Sequence, residues 1–150
     1  MHAKRGFTLV EILIVVVILG ILAAIVIPQF TQASTEAKQN SLSSDLQTLR
    51  SQIELYKVQH NDSPPVAATF SSQMIYCTTQ AGAFSASKTR DATYNLGPYL
   101  ERIPENPFNR LNTIVAITDP CDAGSKVAGW AYVESSGQIY ADDDPTHAGL

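Results

Sequence analysis

Basic residues are scarce in this chain. Ten Lys and Arg stand against 14 Asp and Glu, a formal net charge of −4, which leaves no electrostatic footprint for nucleic acid. Histidine is scarcer still: His2, His60 and His147 are scattered, show no His-x-x-x-His spacing and read as solvated side chains. There is no Gly-rich phosphate loop, no paired-cysteine metal knuckle, and no nucleophile with a base set beside it. Together these absences argue against an enzyme. A chain of 150 residues has room for one globular domain once any membrane stretch is set aside.

What the chain has is a long apolar run close to its start. Lys4-Arg5-Gly6-Phe7-Thr8-Leu9-Val10-Glu11 continues to Ile27, with only Thr8, Glu11 and Gly20 interrupting it. Residues 7–27 number about 21 and as a helix span about 30 Å, one bilayer core. Lys4 and Arg5 precede the run, and the flank at 29–36 has neither Lys nor Arg. That asymmetry puts the N-terminus in the cytoplasm and the rest of the chain outside. Glu11 is the anomaly, because a carboxylate in a membrane segment is costly and usually functional. A secretory signal peptide also has a basic head and an apolar core, but its cleavage site follows the core, where Ala23-Ala24 offers only a weak one. An ordinary anchor explains the length but not Gly6-Phe7 with Glu11.

Those residues resemble the N-terminus of type IV pilins and of the pseudopilins of type II secretion. Gly6 stands where a prepilin peptidase cuts, Phe7 where the new N-terminus is methylated, and Glu11 four residues on; Thr8, Leu9, Val10 and Pro28 also fit. The resemblance covers about the first 30 residues. It implies cleavage after Gly6 and a new amine on Phe7 that pairs with Glu11 of a neighbouring subunit. In a low-dielectric helix bundle an unpaired Glu11 is expensive, so such pairing selects a register as subunits are added. Implied partners are further copies of the chain through their N-terminal helices, the prepilin peptidase, an inner-membrane assembly platform and minor pilins or pseudopilins, with the membrane holding the chain before assembly.

Beyond Pro28, which marks a kink or a lost helical hydrogen bond, residues 29–60 contain no Gly or Pro. Leu42, Leu46, Leu49, Ile53 and Tyr56 recur at helical spacing and form one apolar stripe. A single helix of about 80 Å if unbroken is therefore predicted from Phe7 to His60, its membrane half apolar all round and its amphipathic half with one face to cover. Asn61-Asp62-Ser63-Pro64-Pro65 ends it. Residues 66–98 show no clear period, with room for a short helix or strand near 74–78. The stretch 97–108 (Gly-Pro-Tyr-Leu-Glu-Arg-Ile-Pro-Glu-Asn-Pro-Phe) is similar to the Tyr-Leu…Pro…Asp-Pro-Trp-Gly segment of major pseudopilins, with Asn106 and Phe108 in place of the acidic residue and Trp.

Strands are predicted at 113–118, 129–134 and 138–141, the last two joined by a turn at Ser135-Ser136-Gly137. Trp130 and Tyr132 alternate with Ala131 and Val133, which suits packing on the helix stripe. The predicted fold is α+β and pilin-like, a long N-terminal helix packed on a small antiparallel sheet. Its divisions are a leader at 1–6, a transmembrane and assembly helix at 7–28, an amphipathic helix at 29–60, and loop and sheet at 61–150.

Cys77 and Cys121 face an oxidising compartment if the export signal is read correctly, and a bridge between them is expected; the alternative is two free thiols. Closing that loop of about 45 residues stabilises a domain by roughly 4 kcal/mol in the chain-entropy picture. The acidic group Asp119, Asp122, Asp142, Asp143 and Asp144 raises one further expectation. Major pseudopilins as a family hold calcium in a C-terminal loop, and hard oxygen ligands suit that ion, but no full ligand set aligns here; a solvated acidic turn is the better reading and no cofactor is expected. The middle and closing stretches point to a pseudopilus subunit of type II secretion. A type IV pilin forming a surface filament for adhesion, motility or DNA uptake is the second reading, favoured by a cysteine pair. A membrane-anchored binding module that never polymerises is the third.

Overall fold

The computed structural model describes residues 7–150; Gly6 and the rest of the 1–6 leader lie outside the described residues. The chain divides into two compact units, one up to Lys38 and one from Gln39 to Leu150. Helix α1 runs Leu9–Gln59. Its first part is dense in Val, Ile and Leu, which in an apolar medium form a helix because every backbone N–H and C=O must be satisfied within the segment. Pro28 sits inside α1, where its ring withholds the N–H that would otherwise bond the Ala24 carbonyl. The Thr31 hydroxyl bonds the Ile27 carbonyl at 3.3 Å.

The helix stops by a Schellman closure. Asn61 and Asp62 take left-handed backbone angles (φ 54° and 59°), and the Asp62 N–H returns to the Lys57 carbonyl at 2.9 Å. Pro64 and Pro65 then prevent the helix from resuming.

The stripe Leu42, Leu46, Leu49, Ile53 and Tyr56 is fully buried, as its spacing predicts. Three groups of side chains cover it. Phe70 and Met74 come from a short helix α2 (Phe70–Ile75), Tyr99, Leu100 and Ile103 from the proline-rich segment, and Trp130, Tyr132 and Ile139 from the sheet. The Phe70 and Tyr132 rings lie 4.7 Å apart at 58°, within the range where aromatic pairs gain beyond their buried area.

The sheet has three strands, β1 (Ile114–Ala116), β2 (Trp130–Val133) and β3 (Gln138–Ala141), in that spatial order. β2 and β3 form the predicted hairpin, with Trp130 opposite Ala141 and the Gly137 N–H closing on the Val133 carbonyl at 2.9 Å. β1 departs from expectation. It pairs with β2 in parallel, Ile114 opposite Trp130, so the sheet is mixed and not antiparallel throughout. The connection at 117–129 is long enough for the crossover a parallel pair requires, which takes about a dozen residues. Every residue of β2 is buried, as expected of a middle strand.

The segment 66–98 is held by isolated backbone bridges and side chain to backbone bonds in place of long regular elements, which is why no period marks it. A 3-10 turn at Ala67–Thr69 leads into α2. Gln73 accepts from the Val66 N–H at 2.8 Å and donates to the Gly82 carbonyl at 2.7 Å. Thr78 makes isolated bridges to Phe84 and Leu96.

Two expectations fail here. His60 is buried, not solvated. The turn after α1 folds its ring onto Tyr56, stacked at 3.6 Å. One ring nitrogen faces the Tyr56 carbonyl at 2.7 Å and the other the Thr78 hydroxyl at 3.1 Å. A carbonyl cannot donate, so Nδ1 carries a proton and donates to Tyr56. The Cys77–Cys121 bridge is likewise not formed: both are free thiols, Cys77 buried and Cys121 exposed. Cys77 is fixed inward by backbone bonds with Ser85 and Ser87, whereas Cys121 lies on the separate 3-10 turn Pro120–Asp122.

Candidate functional site

The N-terminal part of α1 is an apolar surface without cover. From Leu9 to Ile27 its large apolar side chains are exposed, and Phe7 and Phe30 are 79% and 72% exposed. This is a helix long and apolar enough to cross a membrane. An uncovered stripe of this size demands lipid or other helices around it.

At its head Thr8 and Glu11 form a reciprocal capping box. The Thr8 N–H and hydroxyl donate to Glu11 Oε2 at 2.8 and 2.9 Å, and the Glu11 N–H donates to the Thr8 hydroxyl oxygen at 3.3 Å. Two otherwise orphaned donors of the first turn are thereby satisfied. Both bonds to the carboxylate use Oε2, and among the described residues Oε1 accepts none. One oxygen of Glu11 thus holds its own helix, and among the described residues the other has no hydrogen-bond donor. Phe7 is described and lies directly before this turn. Thr8 was missed as a functional residue in the sequence, although the Thr-x-x-Glu spacing at 8–11 is the signal that marks it.

The five aspartates do not gather. Among the described residues no three His, Cys, Asp or Glu side chains are grouped so as to hold a metal ion. Asp119 caps its own 3-10 turn by accepting from the Cys121 N–H at 2.8 Å, and that bond holds its carboxyl below the ordinary range. Asp122 lies on the same turn. Asp144 accepts from the N–H and hydroxyl of Thr146 at 3.0 and 2.8 Å. Those bonds, with Lys126 at 3.5 Å, hold its carboxyl down to about 2.

Asp142 and Asp143 are buried and do different work. Asp142 Oδ1 accepts from the Gly124 N–H, the Ser125 N–H and the Ser125 hydroxyl at 2.8–3.0 Å. Its Oδ2 accepts from the N–H groups of Val127 and Ala128 at 3.0 and 2.8 Å. Asp143 pairs on one oxygen with Asn106 at 2.8 Å and on the other with His147. Asn106 also donates to the Gly129 carbonyl at 3.0 Å and accepts from the Phe108 N–H at 3.0 Å. The Phe108 ring rests 4.3 Å from His147. Asn106, in the proline-rich segment, therefore joins that segment to the tail through a fully buried amide. An aspartate at this position would set two carboxylates against each other, which accounts for the amide here.

The aspartates considered as possible calcium ligands do not converge on one point. Calcium takes six to eight oxygens converging on one point, whereas the carboxylates of Asp119, Asp142, Asp143 and Asp144 are engaged by nitrogen and hydroxyl donors of the chain itself.

Comparison with known proteins agrees with the apolar head and the packed domain. Residues 1–27 match the family described as the prokaryotic N-terminal methylation motif. The type II secretion system core protein G of Klebsiella pneumoniae is 31% identical over 113 residues, covering 72% of this chain and 71% of that protein. That of Aeromonas hydrophila is 32% identical over 110 residues, covering 70% and 68%. That of Escherichia coli K12 is 28% identical over 147 residues, covering 98% and 92%. No solved structure gives a significant match. With relatives of that identity spanning over two thirds of both chains, and the methylation motif at its head, the chain belongs to the type II secretion system core protein G family, the major pseudopilins.

Proposed function

We propose that this chain is a structural, non-catalytic subunit of a type II secretion pseudopilus. It is inserted in the inner membrane with its N-terminus cytoplasmic, cut after Gly6 by a prepilin peptidase, N-methylated at Phe7 and polymerised through α1. The single observation that carries the reading is the exposed apolar head of α1 bearing one carboxylate, Glu11, one oxygen of which has no partner among the described residues. An apolar helix needs only lipid, but a carboxylate within it needs a cation, and the amine of a mature Phe7 in an adjacent copy supplies one. That pairing fixes the axial step between subunits. An inner-membrane platform and minor pseudopilins are the further partners this reading requires.

The test is made in native cells. Intact-mass analysis should find the chain beginning at Phe7 with one added methyl, and deletion should abolish release of exoproteins while the chain otherwise stays in the envelope. Abundant subunits in sheared surface filaments, with secretion intact in the deletion strain, would overturn the reading in favour of a surface pilus.

A further inference from the structure

We propose that the C-terminal loop of this protein is closed by an internal anion, the Asp142 carboxylate, and that the domain needs no calcium to hold this loop. The loop at 124–128 turns its N–H groups inward. Gly124 and Lys126 take left-handed backbone angles (φ 87° and 66°), and alternation of that kind curls successive N–H groups into a concave, electropositive nest. Such a nest attracts an anion and repels a cation. The anion is built in, because Asp142 lies directly after β3 with no exposed surface and accepts four backbone N–H groups and one hydroxyl from the loop.

Loop carbonyls that might otherwise ligate an ion are engaged as well. The Ala128 carbonyl accepts from the Asn109 amide at 2.7 Å, and the Gly129 carbonyl from the Asn106 amide and the Asp142 N–H. The tail presses on the loop so closely that a Cβ at Gly124 would run into the backbone of Pro145. Asp142 thus serves the loop as a bound cation would, by drawing one set of groups to a single centre, with the sign of every group reversed. The inference concerns how the domain closes and does not depend on whether the chain forms a filament.

The experiment uses the full chain purified in detergent. Thermal unfolding and amide hydrogen exchange are compared in excess EGTA and in excess calcium chloride. The expected result is the same melting temperature in both, and the same protection of the 124–128 amides. Asp142→Asn, which keeps the size but turns an N–H₂ donor toward N–H donors, should expose those amides about tenfold or more to exchange in either buffer. Should that variant fail to fold, the wild-type comparison decides alone. A lower melting temperature or faster exchange at 124–128 in EGTA, reversed by added calcium, overturns the proposal.

Discussion

Thr8 and Glu11 hold each other across the first turn of α1, and both bonds from Thr8 fall on one oxygen of the carboxylate. The observed capping belongs to the pair, whereas the proposed intersubunit pairing belongs to Glu11 alone, so the two are separable by substitution. Glu11→Ala should insert in the membrane at wild-type level yet yield few or no filaments. Thr8→Ala removes a cap worth about 1 kcal/mol of local helix stability but leaves the carboxylate, so most assembly should persist. Quantifying pelleted filaments against membrane-bound subunit distinguishes the two. Wild-type filament yield from Glu11→Ala would rule out the pairing.

Asn106 is the next point of leverage. Truncating it to Ala strands one Asp143 oxygen in the interior and removes one of the two bonds to the Gly129 carbonyl, at a cost of about 3 kcal/mol. Asn106→Asp should be worse, since it places a second carboxylate against Asp143. Denaturant unfolding of the full chain in detergent reads both effects. Unchanged midpoints would show that the buried network contributes little.

The two thiols should behave unlike each other. Cys121 is exposed and Cys77 buried, so a maleimide should label one cysteine in the native protein without reductant and two after unfolding. Its hydrogen bond and charge make the Asp119 carboxylate raise the Cys121 thiol above its ordinary range, and labelling should accelerate as pH rises past that range. Absence of any labelling until reductant is added would restore the bridge.

Alkali should unfold the domain before its buried tyrosines ionise freely. Burial, with Tyr99 beside it, pushes the Tyr56 hydroxyl up to about 12, and burial with Glu134 nearby raises Tyr132 as well. The native state then holds protons that the unfolded chain has released. Its stability is intact below about pH 10, the ordinary phenol value, and falls as pH climbs from there toward about 12. Tyrosinate absorbance and loss of circular dichroism should rise together, and Tyr56→Phe should move the midpoint upward. Full tyrosinate absorbance with the circular dichroism retained would contradict this.

Much of the fold is readable because it rests on local periodicity. The Leu42 to Tyr56 stripe depends only on 3.6 residues per turn, and the β2–β3 hairpin on alternation closed by Gly137, so both appear where the pattern puts them. His60 misleads, because nothing local shows that the helix end will fold its ring onto Tyr56. Asn106 reads as a loop residue, because its partners at Gly129 and Asp143 lie far along the chain.

The sequence by itself determined the membrane head, the processing motif, the buried stripe and the α+β class, all of which depend on neighbours within a few turns. Tertiary structure alone decided that β1 runs parallel to β2, that Cys77 is buried while Cys121 is exposed, and that Asp142 accepts from a loop of N–H groups. A run of aspartates looks alike whether it will meet a cation, water or backbone N–H groups. Which of these it meets is set by how the chain returns to it, and composition carries no record of that return.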